Sequence, residues 1–304
     1  MSENSWWVAR IPASSANLGP GFDALGLALD IPLTVRFRRS KGLDILATGR
    51  DAESIPPGEN NLIWQTALAV ARDVGREMPA VEMRIHNEIP IGRGLGSSAS
   101  ALVAGVVVAD ALLGLNWSRE KLLDEAAKIE GHPDNVAACV LGSIVASAID
   151  NGGTARAVRL ELPEWCDVSV IVPDFILPTV EARQVLPESY SKADVIFNVQ
   201  RSALLIAALC TGVPGVFPAA LEDRLHQPYR SKLVPGLAEI LKLRVPGLLG
   251  CALSGAGPSV LVLYERGAAQ VCEAVQAVFR EKGHHSEILP APISKQGLTI
   301  SKES

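Results

Sequence analysis

The residues best suited to chemistry lie in a glycine-rich segment, PIGRGLGSSA, at residues 90–99. Glycines at alternate positions let the backbone bend sharply and approach a ligand closely. The Ala- and Val-rich stretch that follows predicts a helix over residues 97–113, which Gly114 ends. The amino end of such a helix offers free N–H groups and a positive dipole end, and both favour a phosphate. Because Ser97 and Ser98 add hydroxyls for a phosphate oxygen or a magnesium ion, the segment predicts a phosphate-binding loop.

Two familiar phosphate-binding motifs do not fit this glycine loop. A Walker loop ends in Gly-Lys-Ser or Gly-Lys-Thr, and residues 90–99 contain no lysine. The dinucleotide fingerprint needs the spacing GxGxxG, whereas the spacing here is GxGxG. A dinucleotide-dependent oxidoreductase is therefore disfavoured. Taken alone, the segment leaves open a flexible strand-to-helix turn that binds nothing.

Composition narrows the class of protein. The 304 residues include 28 basic and 33 acidic side chains, and the net charge of −5 disfavours nucleic acid as a partner. A hydrophobic fraction of 48% and a charged fraction of 20% are ordinary for a globular protein and exclude disorder as the dominant state. The oligomeric state stays open, with a homodimer among the alternatives.

Cysteine spacing and hydropathy indicate the compartment. The five cysteines are odd in number and far apart, which disfavours a disulfide framework and a zinc site and favours a reducing compartment. Residues 1–10 lack the basic and apolar regions of a signal peptide. The most apolar run, at residues 99–109, is about half the roughly 20 residues that a membrane span needs. We therefore expect a cytoplasmic protein with no membrane partner.

Periodicity predicts the elements that position the glycine loop. Apolar and polar residues alternate at residues 33–38 and 81–86, which is typical of half-buried strands. Residues 60–74 predict a helix with Leu62 and Leu68 among its core residues. The glycine loop therefore joins the second of these strands to the helix that begins near Ser97.

A domain boundary is predicted at residues 151–153, where the chain reads Asn-Gly-Gly. Before it, Ser118 can cap a helix that Gly131 ends. Strands and helices alternate on both sides of the boundary. The sequence therefore predicts an α+β protein with two domains, residues 1–152 and 153–304.

Several segments together resemble a known family. The glycine loop looks like the phosphate loop of the GHMP kinases, a superfamily of small-molecule kinases. PASSANLGPGFD at residues 12–23 and EGHPDN at 130–135 resemble its homoserine kinase branch, and SGAGPS at 254–259 is similar to its carboxyl-terminal glycine motif. PTVEAR at 178–183 and HQPYR at 226–230 look like the same branch. Since all of them follow the family order, the chain is identified as a member.

The resemblance implies a fold and a reaction. The fold has two domains, an ATP-binding one similar to ribosomal protein S5 domain 2 and a ferredoxin-like one that completes the substrate site. The reaction transfers a phosphoryl group from ATP, with Mg²⁺, to the side-chain hydroxyl of L-homoserine, a step in threonine biosynthesis. Two alternatives stay open: another small-alcohol kinase of the superfamily, and a non-catalytic nucleotide or phosphate sensor on the same fold.

The implied nucleotide site combines a segment that borders the adenine with the whole glycine loop. Its members are Asn61, Leu62, Pro90, Ile91, Gly92, Arg93, Gly94, Leu95, Gly96, Ser97, Ser98 and Ala99. Ser98 and Glu130 are the implied ligands of Mg²⁺, which accepts a hydroxyl, a carboxylate and phosphate oxygens. Glu125 and Asp124 are rivals for the metal, because helix phase alone does not choose among these three acids.

The implied substrate site suits a zwitterion with a terminal hydroxyl. Arg183 or Arg230 could grip the carboxylate in two bonds, and either could instead face the transferring phosphoryl group. Asp23 or Asp134 could receive the ammonium group. The full implied set is Asn17, Asp23, His132, Asp134, Asn135, Thr179, Arg183, Arg230 and Gly255.

The type of residue at position 135 bears on the mechanism. The mevalonate kinase branch has an aspartate there that acts as a base, whereas Asn135 cannot take a proton. We therefore expect catalysis by positioning and charge stabilisation, which phosphoryl transfer allows. The implied catalytic residues are Arg183, Asn135, Ser98 and Glu130.

Overall fold

The structure is a computed structural model that describes residues 5–161 and 163–303. Residues 1–4, part of the segment examined for a signal peptide, lie outside the described residues. The strands are β1 (Trp7–Ala16), β2 (Leu25–Arg39), β3 (Asp44–Gly49), β4 (Val81–Asn87), β5 (Ile144–Ile149), β6 (Ala155–Leu160), β7 (Cys166–Pro173), β8 (Leu248–Leu253), β9 (Val260–Glu265), β10 (Ser286–Pro290) and β11 (Thr299–Lys302). The α-helices are α1 (Leu62–Asp73), α2 (Ser97–Leu113), α3 (Arg119–Glu130), α4 (Asp134–Leu141), α5 (Thr179–Gln184), α6 (Lys192–Thr211), α7 (Phe217–Ala220), α8 (Gln227–Arg230), α9 (Leu237–Ile240) and α10 (Val271–Glu281).

A seven-stranded sheet forms the first half of the molecule. Its main order is β11-β1-β2-β4-β3, and β5 pairs with the beginning of β2 and with β6. All neighbours are antiparallel except β3 and β4, which run parallel. Helices α2 and α4 pack on β1 and β2, with α1 and α3 beside them. Both predicted strands in this half are confirmed, as β2 and β4.

Helix α2 is the central helix of this half, and its predicted bounds, Ser97–Leu113, are confirmed. Gly96 and Gly114 stand at its two ends in the left-handed conformation, with φ of 66° and 64°. Glycine enters that conformation at little cost, so these two residues start and stop the helix sharply. Because 11 of its 17 residues are buried, α2 is anchored in the core and fixes the position of the loop before it.

A four-stranded antiparallel sheet, in the order β10-β7-β9-β8, forms the second half. Its core includes Val260, Val262 and Phe279, the last of these on α10.

Of the described helices, α6 is long and apolar enough to cross a membrane by length and composition alone, and 22% of its most apolar window is buried. One helix of this kind is weak evidence for a membrane span.

The boundary predicted at residues 151–153 lies inside a hairpin of the first sheet. Strand β6 pairs with β5 beyond it, and the backbone N–H of Gly153 donates to Asp150 O across the turn, at 2.9 Å. Asn-Gly-Gly is a hairpin signal as well as a linker signal, so the pattern alone did not separate the two. At the other end of the chain, β11 returns to pair with β1. We propose that the amino-terminal domain ends after Leu160 and includes the returning strand.

Candidate functional site

The predicted site residues come from segments that the fold brings to one cleft. Asn17 and Asp23 lie in the turn between β1 and β2, and Glu130 ends α3. Asp134 and Asn135 begin α4. The second half supplies the rest, namely Thr179 and Arg183 on α5, Arg230 on α8 and Gly255 between β8 and β9.

The glycine loop is held in shape by the carboxyl-terminal glycine motif. Gly92, Gly94 and Gly96 have φ of 71°, 75° and 66°, the left-handed region that favours glycine. A Cβ on Gly94 would lie 2.2 Å from the carbonyl oxygen of Ser254. The Ser254 hydroxyl in turn lies 2.7 Å from Gly94 O and donates to it. The two glycine-rich motifs therefore pack backbone to backbone.

The amino end of α2 is open to a ligand. Gly96, the residue before its first turn, has no side chain to cap the first N–H groups. Ser97 is half-buried and Ser98 is exposed, so their hydroxyls are accessible. Free backbone donors and the positive end of a 17-residue helix suit a phosphate group.

Two adjoining cavities meet at this helix end and share Ile91, Ser97 and Ser98. The smaller, of about 220 Å³, has apolar walls that include Ile55 and Ile85. The larger, of about 300 Å³, is polar and lies between the two halves of the molecule. Its lining includes Asn17, Asp23, Glu130, His132, Asp134, Asn135, Thr179, Arg183, Arg230 and Gly255, together with Ile91, Gly92, Gly94, Gly96, Ser97, Ser98 and Ala99 of the loop.

Asn61 and Leu62 border the smaller cavity. The side-chain oxygen of Asn61 accepts from the N–H groups of Ile63 and Trp64 at 3.0 and 3.3 Å, and its amide donates to Pro56 O at 2.9 Å. This cap starts α1 at Leu62, whose side chain is 40% exposed. The expectation that Leu62 belongs to the core is therefore wrong, and Ile63 and Trp64 are buried in its place.

An acidic and imidazole cluster forms one wall of the larger cavity. Asp134 is 1% exposed, and its Oδ1 lies 2.6 Å from His132 Nδ1 and accepts from the backbone N–H of Asn135 at 2.7 Å. His132 Nε2 lies 3.8 Å from Glu130 Oε1. Burial disfavours the His132 cation, but the hydrogen bond and charge of Asp134 outweigh it and raise the pKa of His132. Burial raises the pKa of Glu130 as well, against the opposing charge of His132.

The raised pKa of His132 predicts how the free energy of unfolding depends on pH. Its folded pKa lies above the ordinary value of 6.5, so the protonated ring stabilises the fold. That contribution is fully present below pH 6.5 and is lost as the pH rises through the raised pKa. Urea unfolding of the wild type and of His132→Gln at pH ~6 and ~9 tests this dependence. The free energy of unfolding should be larger for the wild type, and the difference should shrink at the higher pH. An advantage of equal size at both values would contradict the ion-pair description.

Asp23 and Arg183 form an ion pair across the mouth of the larger cavity. Nη2 and Nη1 of Arg183 donate to the two carboxylate oxygens of Asp23 at 3.0 and 3.3 Å. The backbone N–H of Asp23 donates to Asn17 Oδ1 at 3.0 Å, and Asn17 Nδ2 donates to Gly255 O at 3.0 Å. The turn that carries Asp23 is thus tied to the second half of the molecule. The Arg183 side chain is 40% exposed, which leaves it free to turn toward a ligand.

Arg230 differs from Arg183 because it is almost fully buried, at 1% exposure. Its Nε donates to Ala182 O and its Nη1 to Gly255 O, both at 3.0 Å. Burial, followed by the charge of Arg183, lowers the pKa of the Arg230 guanidinium to about 10. A buried cation held by carbonyl groups and not by a carboxylate attracts an anionic ligand.

Asn135 lines the larger cavity, and both ends of its amide have protein partners. Its Oδ1 accepts from the hydroxyl of Ser14 at 2.8 Å, and its Nδ2 lies 3.4 Å from Asp134 Oδ1. Ser14 is fully buried and supports the site through Asn135, a contact that sequence reasoning missed. It belongs to the segment at residues 12–23 that carried the resemblance, and that membership was the signal that could have found it.

The structure also separates the predicted residues that line a cavity from those that do not. Among the described residues, Pro90, Arg93 and Leu95 line neither of the two cavities.

The rival metal ligands have partners of their own. Glu125 pairs with Lys121 and Lys128 at 2.5 and 2.9 Å. Asp124 accepts from Lys128 at 2.9 Å and from the backbone N–H of Ala155 at 3.1 Å. Of the three candidate acids, Glu130 is the one that shares the larger cavity with Ser98.

Comparisons with known proteins agree with this geometry. Residues 61–143 match the family model described as "GHMP kinases N terminal domain", and residues 205–281 match "GHMP kinases C terminal". The chain therefore belongs to the GHMP kinase family. The two-domain fold expected from the sequence is confirmed.

Within that family, homoserine kinases match the chain over nearly its full length. The chain is 64% identical to the enzyme of Solibacter usitatus over 301 residues, with 99% of both chains covered. It is 42% identical to the Deinococcus radiodurans homoserine kinase, with coverage of 97% of this chain and 96% of the other. The crystal structure of the Cytophaga hutchinsonii homoserine kinase aligns with a TM-score of 0.86 at 29% identity and covers 99% of each chain.

Proposed function

We propose that this chain is a homoserine kinase, which converts ATP and L-homoserine into ADP and O-phospho-L-homoserine, a step in threonine biosynthesis. The observation that carries the proposal is the polar cavity, whose carboxylates and guanidinium groups open directly onto the glycine loop. Full-length identity of 64% with a homoserine kinase supports it.

ATP would occupy the smaller cavity and the glycine loop together. The apolar walls beside Asn61 and Leu62 suit a flat adenine ring. The triphosphate would then pass Ile91 to reach the free N–H groups at the start of α2. Since Ser97 and Ser98 line both cavities, the γ-phosphate would arrive at the edge of the polar one.

L-Homoserine would occupy the polar cavity. Asp23 and Asp134 offer negative charge for its ammonium group, and Asn17, His132, Thr179 and Gly255 line the same space. Arg183 and Arg230 offer positive charge for its carboxylate or for the transferring phosphoryl group. A site with both signs of charge selects a zwitterion over a neutral alcohol.

The transfer itself needs little covalent help from the protein. The side-chain oxygen of homoserine forms a bond to the γ-phosphorus, and the bond from that phosphorus to the β,γ-bridging oxygen breaks with its electron pair, releasing ADP. The hydroxyl proton passes to a phosphoryl oxygen or to water. The amide of Asn135 cannot take this proton, so its role would be to position the hydroxyl. Whichever of Arg183 and Arg230 faces the phosphoryl group would stabilise the charge on its oxygens.

Ser98 and Glu130 fit the requirements of Mg²⁺. They supply one hydroxyl and one carboxylate on the same cavity wall, and the nucleotide would supply further oxygens. When bound, Mg²⁺ neutralises phosphate charge. Burial raises the pKa of Glu130, and the charges of His132 and Arg183 oppose this only in part. A further cation would stabilise its carboxylate, which therefore suits a metal ion.

The assignment of the metal ligand predicts different effects for two glutamates on the same helix. Glu130→Gln should lower the rate at least about tenfold and raise the Mg²⁺ concentration needed for half-maximal rate. Glu125→Gln is the matched control, because Glu125 pairs with two lysines outside the cavity, and its rate should stay within about twofold. Titrations of ADP release against Mg²⁺ make the comparison. A shift in Glu125→Gln alone would reverse the assignment.

The proposed activity is tested by a coupled ADP-release assay with a panel of alcohols. Homoserine should be phosphorylated far faster than mevalonate, galactose or threonine. Threonine is the sharpest comparison, because it has the same atoms as homoserine with the hydroxyl moved one carbon. Faster turnover of another alcohol would favour a different small-alcohol kinase, and no ATP turnover with homoserine would favour a nucleotide sensor.

We also propose that the enzyme acts in the cytoplasm. All five cysteines are free thiols, and one of them, Cys210, is exposed. Free thiols persist in a reducing compartment, which supports this placement.

A further inference from the structure

His226 lies completely buried beside the substrate cavity and is used by none of the steps described above. Its Nε2 lies 2.7 Å from Gly19 O, and its Nδ1 lies 3.2 Å from Nη1 of Arg230. A carbonyl oxygen only accepts, so Nε2 must carry the hydrogen. A guanidinium only donates, so Nδ1 must be the acceptor. The two neighbours together select one neutral tautomer of His226.

The backbone that carries His226 is anchored by Asp223. This carboxylate is fully buried and accepts from the N–H groups of Leu225, His226 and Gln227 at 2.8, 3.0 and 2.6 Å. The imidazole ring also stacks on Phe22, with centroids 5.3 Å apart. Hydrogen bonds to Asp223 therefore hold the backbone at His226, and stacking on Phe22 holds its ring.

A rigid acceptor at this place determines how Arg230 is oriented. Nη1 uses its two hydrogens on His226 Nδ1 and Gly255 O, and Nε donates to Ala182 O. Among residues 5–161 and 163–303, no protein acceptor takes the hydrogens of Nη2, and Arg230 lines the cavity. The free edge of the guanidinium is thus left for a ligand anion.

We propose that His226 is a positioning residue for substrate recognition, which holds Arg230 so that its free edge receives the carboxylate of the amino-acid substrate. Through Nε2 the same ring holds Gly19, in the turn that leads to Asp23. This inference rests on the proposed function, and it assigns the carboxylate to Arg230 and leaves Arg183 for the phosphoryl group.

The first test removes the hydrogen-bond acceptor for Arg230 and keeps a donor for Gly19 O. In His226→Gln the amide nitrogen can replace Nε2 toward Gly19, but the acceptor at the Nδ1 position is lost and Arg230 keeps only Gly255 O and Ala182 O. The KM for homoserine should rise about tenfold, with the KM for ATP within about twofold. His226→Asn, which places an amide oxygen near the Nδ1 position, should recover most of that loss. Equal KM values for the two variants, or parallel shifts for both substrates, would overturn the proposal.

A shortened substrate tests the carboxylate without relying on the second variant. 3-Amino-1-propanol is homoserine without its carboxylate. The fall in kcat/KM caused by His226→Gln should be about tenfold with homoserine and nearly absent with this analogue. An equal fall with both substrates would mean a structural role, or an Arg230 that faces phosphate, and either would overturn the proposal.

Crystal structures of the two variants separate this proposal from the proposed function. The Arg230 side chain should shift in His226→Gln and keep its place in His226→Asn. That pattern without any wild-type turnover of homoserine would refute the kinase assignment and leave the positioning role intact. An unmoved Arg230 in His226→Gln, with normal wild-type turnover, would refute the positioning role alone.

Discussion

Replacing Arg183 with alanine is expected to lower kcat/KM for homoserine about 10²- to 10³-fold. Arg183 is the half-exposed cation of the polar cavity, and its only described acid partner, Asp23, lies at 3.0 Å. Removing the guanidinium deprives the transferring phosphoryl group of positive charge and leaves Asp23 without its counter-ion. Arg183→Lys should fall between the wild type and alanine, because lysine keeps the charge but loses the two parallel bonds.

The kinetic constants that change will identify the role of Arg183. A fall in kcat with little change in the KM for homoserine indicates contact with the phosphoryl group, whereas a raised KM indicates contact with the carboxylate. Arg201→Ala is the control, since Arg201 also pairs with an acid, Glu222, at 3.3 Å but lies outside the cavity. Its activity should match the wild type. An Arg183→Ala enzyme within about threefold of wild type would remove Arg183 from the catalytic set.

Replacing Gly96 with alanine is expected to abolish most nucleotide binding, with a fall in kcat/KM for ATP of about a hundredfold or more. A Cβ there would lie 2.0 Å from the Ser14 hydroxyl oxygen and 3.1 Å from Asn135 Oδ1. Relieving this contact must move the loop, or turn away the Ser14 hydroxyl that donates to Asn135 Oδ1. Either change disturbs the place where the triphosphate and the hydroxyl would meet.

Gly114→Ala is a closely matched control for this prediction. Gly114 ends the same helix with nearly the same φ, 64° against 66°, and a Cβ there would meet no atom within 4 Å. Both variants bear a left-handed backbone penalty of about 1 kcal/mol, so both should melt somewhat earlier. Only Gly96→Ala should lose activity. Equal activity in the two variants would mean that the loop is not in contact with the nucleotide.

Much of the fold could be predicted because its local signals are strong. Glycines at both ends of α2 and Ser118 before α3 define the helix limits, and the Ser118 hydroxyl accepts from Lys121 N–H at 3.3 Å. Leu62 was predicted in the core but is exposed. Periodicity gives the spacing of buried residues along a helix, but it does not give the cap, here Asn61, that decides which face is buried. The domain boundary stays a prediction, because Asn-Gly-Gly lies in a hairpin turn and hairpins and linkers share that composition.

The candidate site was predictable in its members but not in its geometry. The order of motifs along the chain led to many residues that line the two cavities, although Pro90, Arg93 and Leu95 line neither. The bond from Ser14 to Asn135 spans 121 residues, and the bond from Ser254 to Gly94 spans 160. Such contacts depend on how β1 packs on α4 and how the two halves meet, and no local pattern encodes either. For the same reason, the role of His226 emerges only from its neighbours in space.

A crystal structure with a non-hydrolysable ATP analogue and homoserine tests the central claim most directly. The account predicts adenine between Asn61 and Ile85, the triphosphate along Gly92–Ser98, and the homoserine hydroxyl facing the γ-phosphate beside Asn135. A triphosphate bound away from the amino end of α2, with the polar cavity free of homoserine, would contradict it.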